Sequence, residues 1–313
     1  MPHGNNEKSK RIKDPPFFKL KANSQDNSHI PLTLKSMPAT IFILLHWKKQ
    51  QRVFSQNLAT LRKQPDDKAI HDLRVAVKKL RSYLKLLTTL FKKIEEEPGL
   101  EKTGQLFKVL GKHRDIEIGL LLLEGFEKEH KVTYTAFRFH LKVALQRTQR
   151  WVQHALSKFD ESELTQLTRQ LGLHLKEITG QELLNEISII FTKENKKLAR
   201  LVKHLTDQPH EIRKMLKNIF YWISVCPKDF LFNSSQVSKL KKTLDQLGDW
   251  QDHEMLHSKI KHFRKDFVPA SREEYQQLKG LEKDIERKME LMLAKAAAHI
   301  QNLLISNQRA SIP

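Results

Sequence analysis

The residues best suited to chemistry in this chain are a histidine and a row of cations, and the row is written twice. The first copy reads His71-x2-Arg74-x3-Lys78-Lys79-x-Arg81-x3-Lys85 and is followed by Leu110-Gly111-x2-Arg114-Asp115. The second reads His210-x2-Arg213-Lys214-x2-Lys217 and is followed by Leu247-Gly248-x2-Gln251-Asp252. The two histidines are 139 positions apart and the two aspartates 137. That near-constant offset reads as an internal duplication of about 138 residues per unit. Arg offers a planar fork that holds two oxyanion oxygens, and Lys supplies a mobile point charge. His donates from one ring nitrogen, or from both when an anion favours its charged form. A row of this kind suits a polymer of repeated negative charge better than one small anion.

A helix must carry the row. At about 100° per residue, His71, Arg74, Lys78, Arg81 and Lys85 fall within a sector of about 80°. Leu73, Val77, Leu80, Leu84, Leu87 and Phe91 gather on another sector, which predicts the core-facing stripe. Like charges at i,i+4 and i,i+7 repel by a few tenths of a kcal/mol each. No Asp or Glu stands between Arg74 and Phe91 to relieve that, so the stripe reads as uncompensated. A lone basic helix face is usually just solvated. Lack of compensation, the leading histidine and the recurrence at His210 point instead to an anion site.

The bulk properties agree. The 313 residues carry a formal net charge of +20 and a pI near 9.8, which favours a polyanionic partner: nucleic acid, polyphosphate or an anionic membrane surface. One cysteine, Cys226, excludes a disulfide framework and a thiolate metal cluster. The polar N-terminus has no secretory apolar core, and the apolar run 39–45 is too short to span a bilayer. A cytoplasmic protein is the expectation.

Residues 1–36, rich in Lys, Asn, Ser and Pro, read as a disordered tail. Beyond them the chain reads as all-α. Helices are expected near 38–63, 68–93, 100–129 and 131–158, then near 182–206, 209–226, 234–264 and 271–306, which makes eight in two groups of four. Asp66-Asp67 favours a helix start, while Pro98-Gly99, Pro227 and Pro269 mark breaks. The resulting division is repeat one over 37–160, a linker over 161–180 with room for a short helix, and repeat two over 181–308. No stretch alternates well enough to claim a strand.

The segment His71-Asp-Leu-Arg-Val-Ala-Val-Lys-Lys-Leu-Arg81, with Leu-Gly-x2-Arg-Asp115 after it, resembles the CHAD domain, the conserved histidine α-helical domain. The resemblance covers about residues 37–308. It implies two pseudo-symmetric four-helix bundles whose facing basic helices line a central groove or pore. It also implies non-enzymatic binding of inorganic polyphosphate, in some settings on polyphosphate granules, with no cofactor and no metal. By position it implies phosphate contacts from His71, Arg74, Lys78, Lys79, Arg81, Lys85 and Arg114, and from His210, Arg213, Lys214 and Lys217. The second half departs from the family pattern, with Phe220 and Tyr221 where cations are favoured and Gln251 in place of the arginine at Arg114. It is therefore expected to bind less strongly. Asp115 and Asp252 are readable equally as orienting partners of nearby cations or as helix-start acids.

Two other functions compete. A nucleic-acid-backbone binder would share the charge, but single-strand binders usually add aromatic platforms, and the stripe carries none. A zinc hydrolase would use His253-Glu254-x-x-His257, whose spacing puts two histidines on one helix face. The counterpart segment Ile116–Leu120 has no histidine, and Pro269 intervenes before a third ligand at Glu273 or Glu274. No Gly-rich phosphate cradle and no acidic metal cluster for phosphoryl transfer is apparent. Further basic runs, Lys193 to Lys203 and Lys48 to Arg52, read singly as solvated faces.

Overall fold

The structure, a computed structural model, describes residues 39–64, 66–91, 100–176, 178–227 and 229–309. The expected tail over 1–36 and the Pro98-Gly99 break lie outside the described residues. Among the latter there are nine α-helices and no strand. They are α1 (Ala39–Lys63), α2 (Asp67–Leu90), α3 (Glu101–His130), α4 (Thr135–Lys158), α5 (Ser162–His174), α6 (Gly180–Leu201), α7 (Pro209–Ile223), α8 (Ser234–Phe267) and α9 (Glu273–Arg309). A 3₁₀ turn, Val202–His204, follows α6. None of these helices is long and apolar enough to cross a membrane.

Local signals explain the boundaries. Asp66 caps α2 by accepting from the Ala69 N–H at 2.9 Å, and Pro209 opens α7, where a missing N–H costs nothing. Thr179 with Glu182, and Asn233 with Gln236, form reciprocal capping boxes at α6 and α8. The expected stripe of α2 is the core stripe: Leu73, Val77, Leu80, Leu84 and Leu87 are all buried. Each contributes about 1.5–3 kcal/mol by leaving water. Phe91 is only half-buried and stacks on His174.

Three apolar clusters form the interior. The first gathers α1, α2, the start of α3, the end of α4, α5 and the start of α6. The second gathers the end of α6, α7, the start of α8 and the end of α9. In the third, the far ends of the α3–α4 and α8–α9 hairpins pack on each other through Ile116, Leu123, Phe137, Leu256, Ile260 and Leu281. The α3–α4 and α8–α9 hairpins thus lock to one another. The expected linker over 161–180 is itself a core element. Its helix α5 buries Leu164, Leu167 and Leu171, and its Thr168 hydroxyl accepts from Trp47 Nε1 of α1 at 2.8 Å.

Helices α2 and α7, which carry the two basic rows, pack directly on each other. Trp222 Nε1 donates to the Ser82 carbonyl at 2.8 Å inside the core, and Tyr83 and Ser224 hydroxyls meet at 3.0 Å. Tyr221 and Trp222 enter the first cluster although they belong to α7. Of the two aromatics that depart from the expected cationic pattern, Tyr221 thus joins α7 to the first cluster, and Phe220 packs against both the first and the second.

Candidate polyanion site

Where α2 and α7 meet, Arg74 and Lys78 come together with Arg213 and Lys217. Burial pushes the Lys78 ammonium well below its ordinary range, and the charges of Lys217, Arg74 and Arg213 push it further. Burial also lowers Lys217, to about 8, and Arg213 adds to the effect. The guanidinium groups of Arg74 and Arg213 are lowered in the same way, chiefly by burial. All four are half-buried rather than solvated.

The row is less lonely than the sequence implied. Asp115 of α3 faces Arg74, Lys259 and Lys78, and Asp252 of α8 faces Arg213 and Lys78. Both aspartates sit in the middle of long helices, so the helix-start reading is replaced by the orienting one. Burial raises both carboxyls above their usual range despite those cations, and Asp115 and Asp249 raise Asp252 further. The expectation of an uncompensated stripe is corrected accordingly: compensation comes from other helices. It is partial, since Asp115 and Asp252, with Glu117 acting on Arg74, face Arg74, Lys78, Arg213, Lys217 and Lys259.

The Leu-Gly motif has a steric purpose. A Cβ on Gly111 would stand 2.6 Å from Arg74 Nη1, and one on Gly248 would stand 3.7 Å from Arg213 Nη2. At Gly248 that contact would be an ordinary one, but the missing side chain at Gly111 lets the Arg74 guanidinium lie against α3. It also leaves the Phe107 carbonyl, one turn earlier, open to a donation from Arg74 Nη1 at 3.2 Å. The Phe107 ring lies under the row, with Arg74 Cζ 4.7 Å, Lys78 Nζ 5.9 Å and Arg81 Cζ 6.0 Å from its centroid. Sequence reasoning missed Phe107; its only signal was an aromatic four residues before the motif glycine.

The remaining expected residues are placed as follows. His71 and Lys79 are half-buried on α2, while Arg81 and Lys85 are exposed. Arg114 Nη1 is 3.2 Å from Glu117 Oε2. His210 is exposed, 3.8 Å from Glu254 and edge-on to Trp250. Lys214 is exposed and pairs with Glu211 at 2.8 Å. Arg114 Nε and Arg213 Nε are buried with no protein acceptor.

The two histidines of His253-Glu254-x-x-His257 go to different partners. His253 Nδ1 is 2.7 Å from the Asp249 carbonyl, and His257 Nε2 is 2.9 Å from Glu286 of α9. Glu254 turns to His210. Among the described residues, the one group of His, Cys, Asp or Glu with ligand atoms close enough to share a metal ion includes none of them.

Residues 46–261 match the family model of the CHAD domain. The chain belongs to the CHAD family. Its fold is similar to the crystal structure of the CHAD domain from the plant Ricinus communis, with a TM-score of 0.63 at 17% identity, covering 84% of this chain and 91% of that one. No curated protein matches it. CHAD domains as a family bind polyphosphate and are generally non-catalytic.

Proposed function

We propose that this CHAD protein binds inorganic polyphosphate, without catalysis, across the surface where α2 and α7 meet. The observation that carries the reading is the packing of Arg74, Lys78, Arg213 and Lys217 into one half-buried cluster at an energetic cost. Removing like charges from water together destabilises a fold unless a partner offsets it, and the facing carboxylates offset it only in part. A chain of phosphates supplies the missing negative charge. The buried Arg213 Nε and Arg114 Nε add donors without protein acceptors. His71, Lys79, Arg81, Lys85 and Arg114 extend the contact along the first half, and His210 and Lys214 along the second.

The first half contributes more, because Arg74 is fixed by the Phe107 carbonyl and ring whereas Lys214 is engaged by Glu211. The 137–139 offset and the parallel pairs Arg74–Gly111 and Arg213–Gly248 support an origin by duplication. A cytoplasmic place, in association with polyphosphate granules, fits this reading. Titrating medium-chain polyphosphate into native, Arg74→Ala and Arg213→Ala proteins tests it. Each variant is expected to lose about 1–3 kcal/mol, the range for charged hydrogen bonds. Unchanged affinity in both variants would move the site elsewhere.

A further inference from the structure

Asp67, His113 and Glu117 offer three ligand atoms, all within 4.8 Å of one another. His113 and Glu117 are buried on one face of α3, four residues apart, while Asp67 comes from the first turn of α2 and is exposed. The hydrogen-bond network sets the histidine tautomer. Thr148 Oγ1 donates its proton to the Leu145 carbonyl at 2.9 Å, so it accepts from His113 Nδ1 at 3.1 Å. In the neutral ring this leaves the Nε2 lone pair pointing 3.4 Å from Glu117 Oε1. On the other side the Glu117 carboxylate faces that of Asp67. Three atoms able to ligate a metal therefore converge.

We propose that His113 Nε2, Glu117 Oε1 and an Asp67 carboxylate oxygen form a site for a divalent transition metal of the zinc type. Bonds of about 2.1 Å in a tetrahedron put ligand atoms roughly 3.4 Å apart, which is the His113–Glu117 separation. One nitrogen and two carboxylate oxygens suit zinc better than magnesium, and the two carboxylates neutralise its charge. Thr148 fixes the ring from behind, as outer partners of metal-bound histidines do. Arg114 holds the other oxygen, Glu117 Oε2, at 3.2 Å and leaves Oε1 for the metal. The exposed Asp67 leaves an approach from solvent, and a water there completes the tetrahedron. The site occurs once: Trp250 and Thr206 stand 137 and 139 positions beyond His113 and Asp67, and Glu254 is turned to His210. It meets the proposed polyphosphate surface at Arg114, which pairs with Glu117.

The test is competition for Zn²⁺ between the full chain and a chromophoric chelator, in phosphate-free buffer at pH 7.5. One Zn²⁺ per chain is expected. Glu117→Gln and Asp67→Asn should each weaken it at least about tenfold, and Thr148→Val by about 10–100-fold. His253→Ala with His257→Ala should leave it unchanged. Asp67 is exposed, so Asp67→Asn keeps the fold should the buried variant fail. Visible absorption of bound Co²⁺, lost in Asp67→Asn, gives a second readout. No stoichiometric Zn²⁺, or equal affinity in the native and Asp67→Asn proteins, would overturn the proposal.

Discussion

Lys217 of α7 faces Lys78 of α2 across the junction of the two basic helices, and its charge, added to burial, helps push the Lys78 ammonium below its ordinary range. Arg74 and Arg213 stand beside the pair, so its titration should report on the ligand. With Lys217 lowered to about 8 against an ordinary 10.5, its charged form is disfavoured in the folded state. That penalty is present below pH 8 and fades as pH rises from about 8 toward 10.5. A bound polyanion favours the charged form again. Polyphosphate binding at pH 9 should therefore take up protons, measurable by calorimetry in buffers of different ionisation enthalpy. Absence of proton uptake would contradict this account of the pair.

Replacing Lys78 with Met separates stability from function. The methionine fills a similar volume and removes a charge that its neighbours repel, and such buried replacements are commonly neutral or stabilising. Thermal unfolding of Lys78→Met should occur at or above the native temperature, while its polyphosphate affinity falls. A variant that unfolds several degrees earlier and binds as tightly as native would show that Lys78 serves the fold.

Gly111→Ala and Gly248→Ala should differ. The first puts a Cβ 2.6 Å from Arg74 Nη1, forcing the guanidinium off the Phe107 carbonyl; the second meets Arg213 Nη2 at an ordinary 3.7 Å. Alanine is the better helix former by up to about 1 kcal/mol, so neither should unfold. Gly111→Ala should lose affinity by up to about 1–3 kcal/mol, and Gly248→Ala should lose little. Equal losses would mean that the glycines do not act through their arginines.

This glycine–arginine relation shows what was legible in the sequence. Helix positions, the core stripe of α2 and the duplicated rows follow from periodicity, caps and spacing, which are local. The residues that complete the site are not local. Asp115 and Asp252 approach from α3 and α8, and Phe107 reaches the row because α3 packs on α2. Tyr83 and Trp222 could be recognised as couplers only once α2 was known to pack on α7. The core role of α5 was hidden for the same reason: thirteen residues give a weak periodic signal, and their burial depends on Trp47, 121 positions away.

Acid titration should find the Asp67–Glu117 pair. Sharing a hydrogen bond with Glu117, together with burial, pushes Asp67 up to about 6. Burial would raise Glu117, but hydrogen bonds with His113 and Asp67 outweigh it and hold its carboxyl near about 2. For Asp67 the contribution is present below its ordinary 3.8 and lost as pH rises through about 6; for Glu117 it is present above its ordinary 4.5 and lost as pH falls toward about 2. In metal-free buffer, Asp67→Asn should melt above the native protein at pH 7.5, with the advantage gone below pH 4. An advantage that persists or grows at low pH would contradict the pairing.

The most direct measurement of the central claim is competition between polyphosphate and single-stranded DNA of matched charge for the native chain, repeated at 50 and 200 mM salt. Binding by a row of about six phosphate contacts predicts roughly a 300-fold loss of polyphosphate affinity across that range. It also predicts that DNA competes poorly at both salts, since no aromatic on the row is free for base stacking beyond the Phe107 ring that the cations already cover. DNA displacing polyphosphate at equal charge concentration, with the same sensitivity to Arg74→Ala, would contradict the account and make the site a nucleic-acid surface.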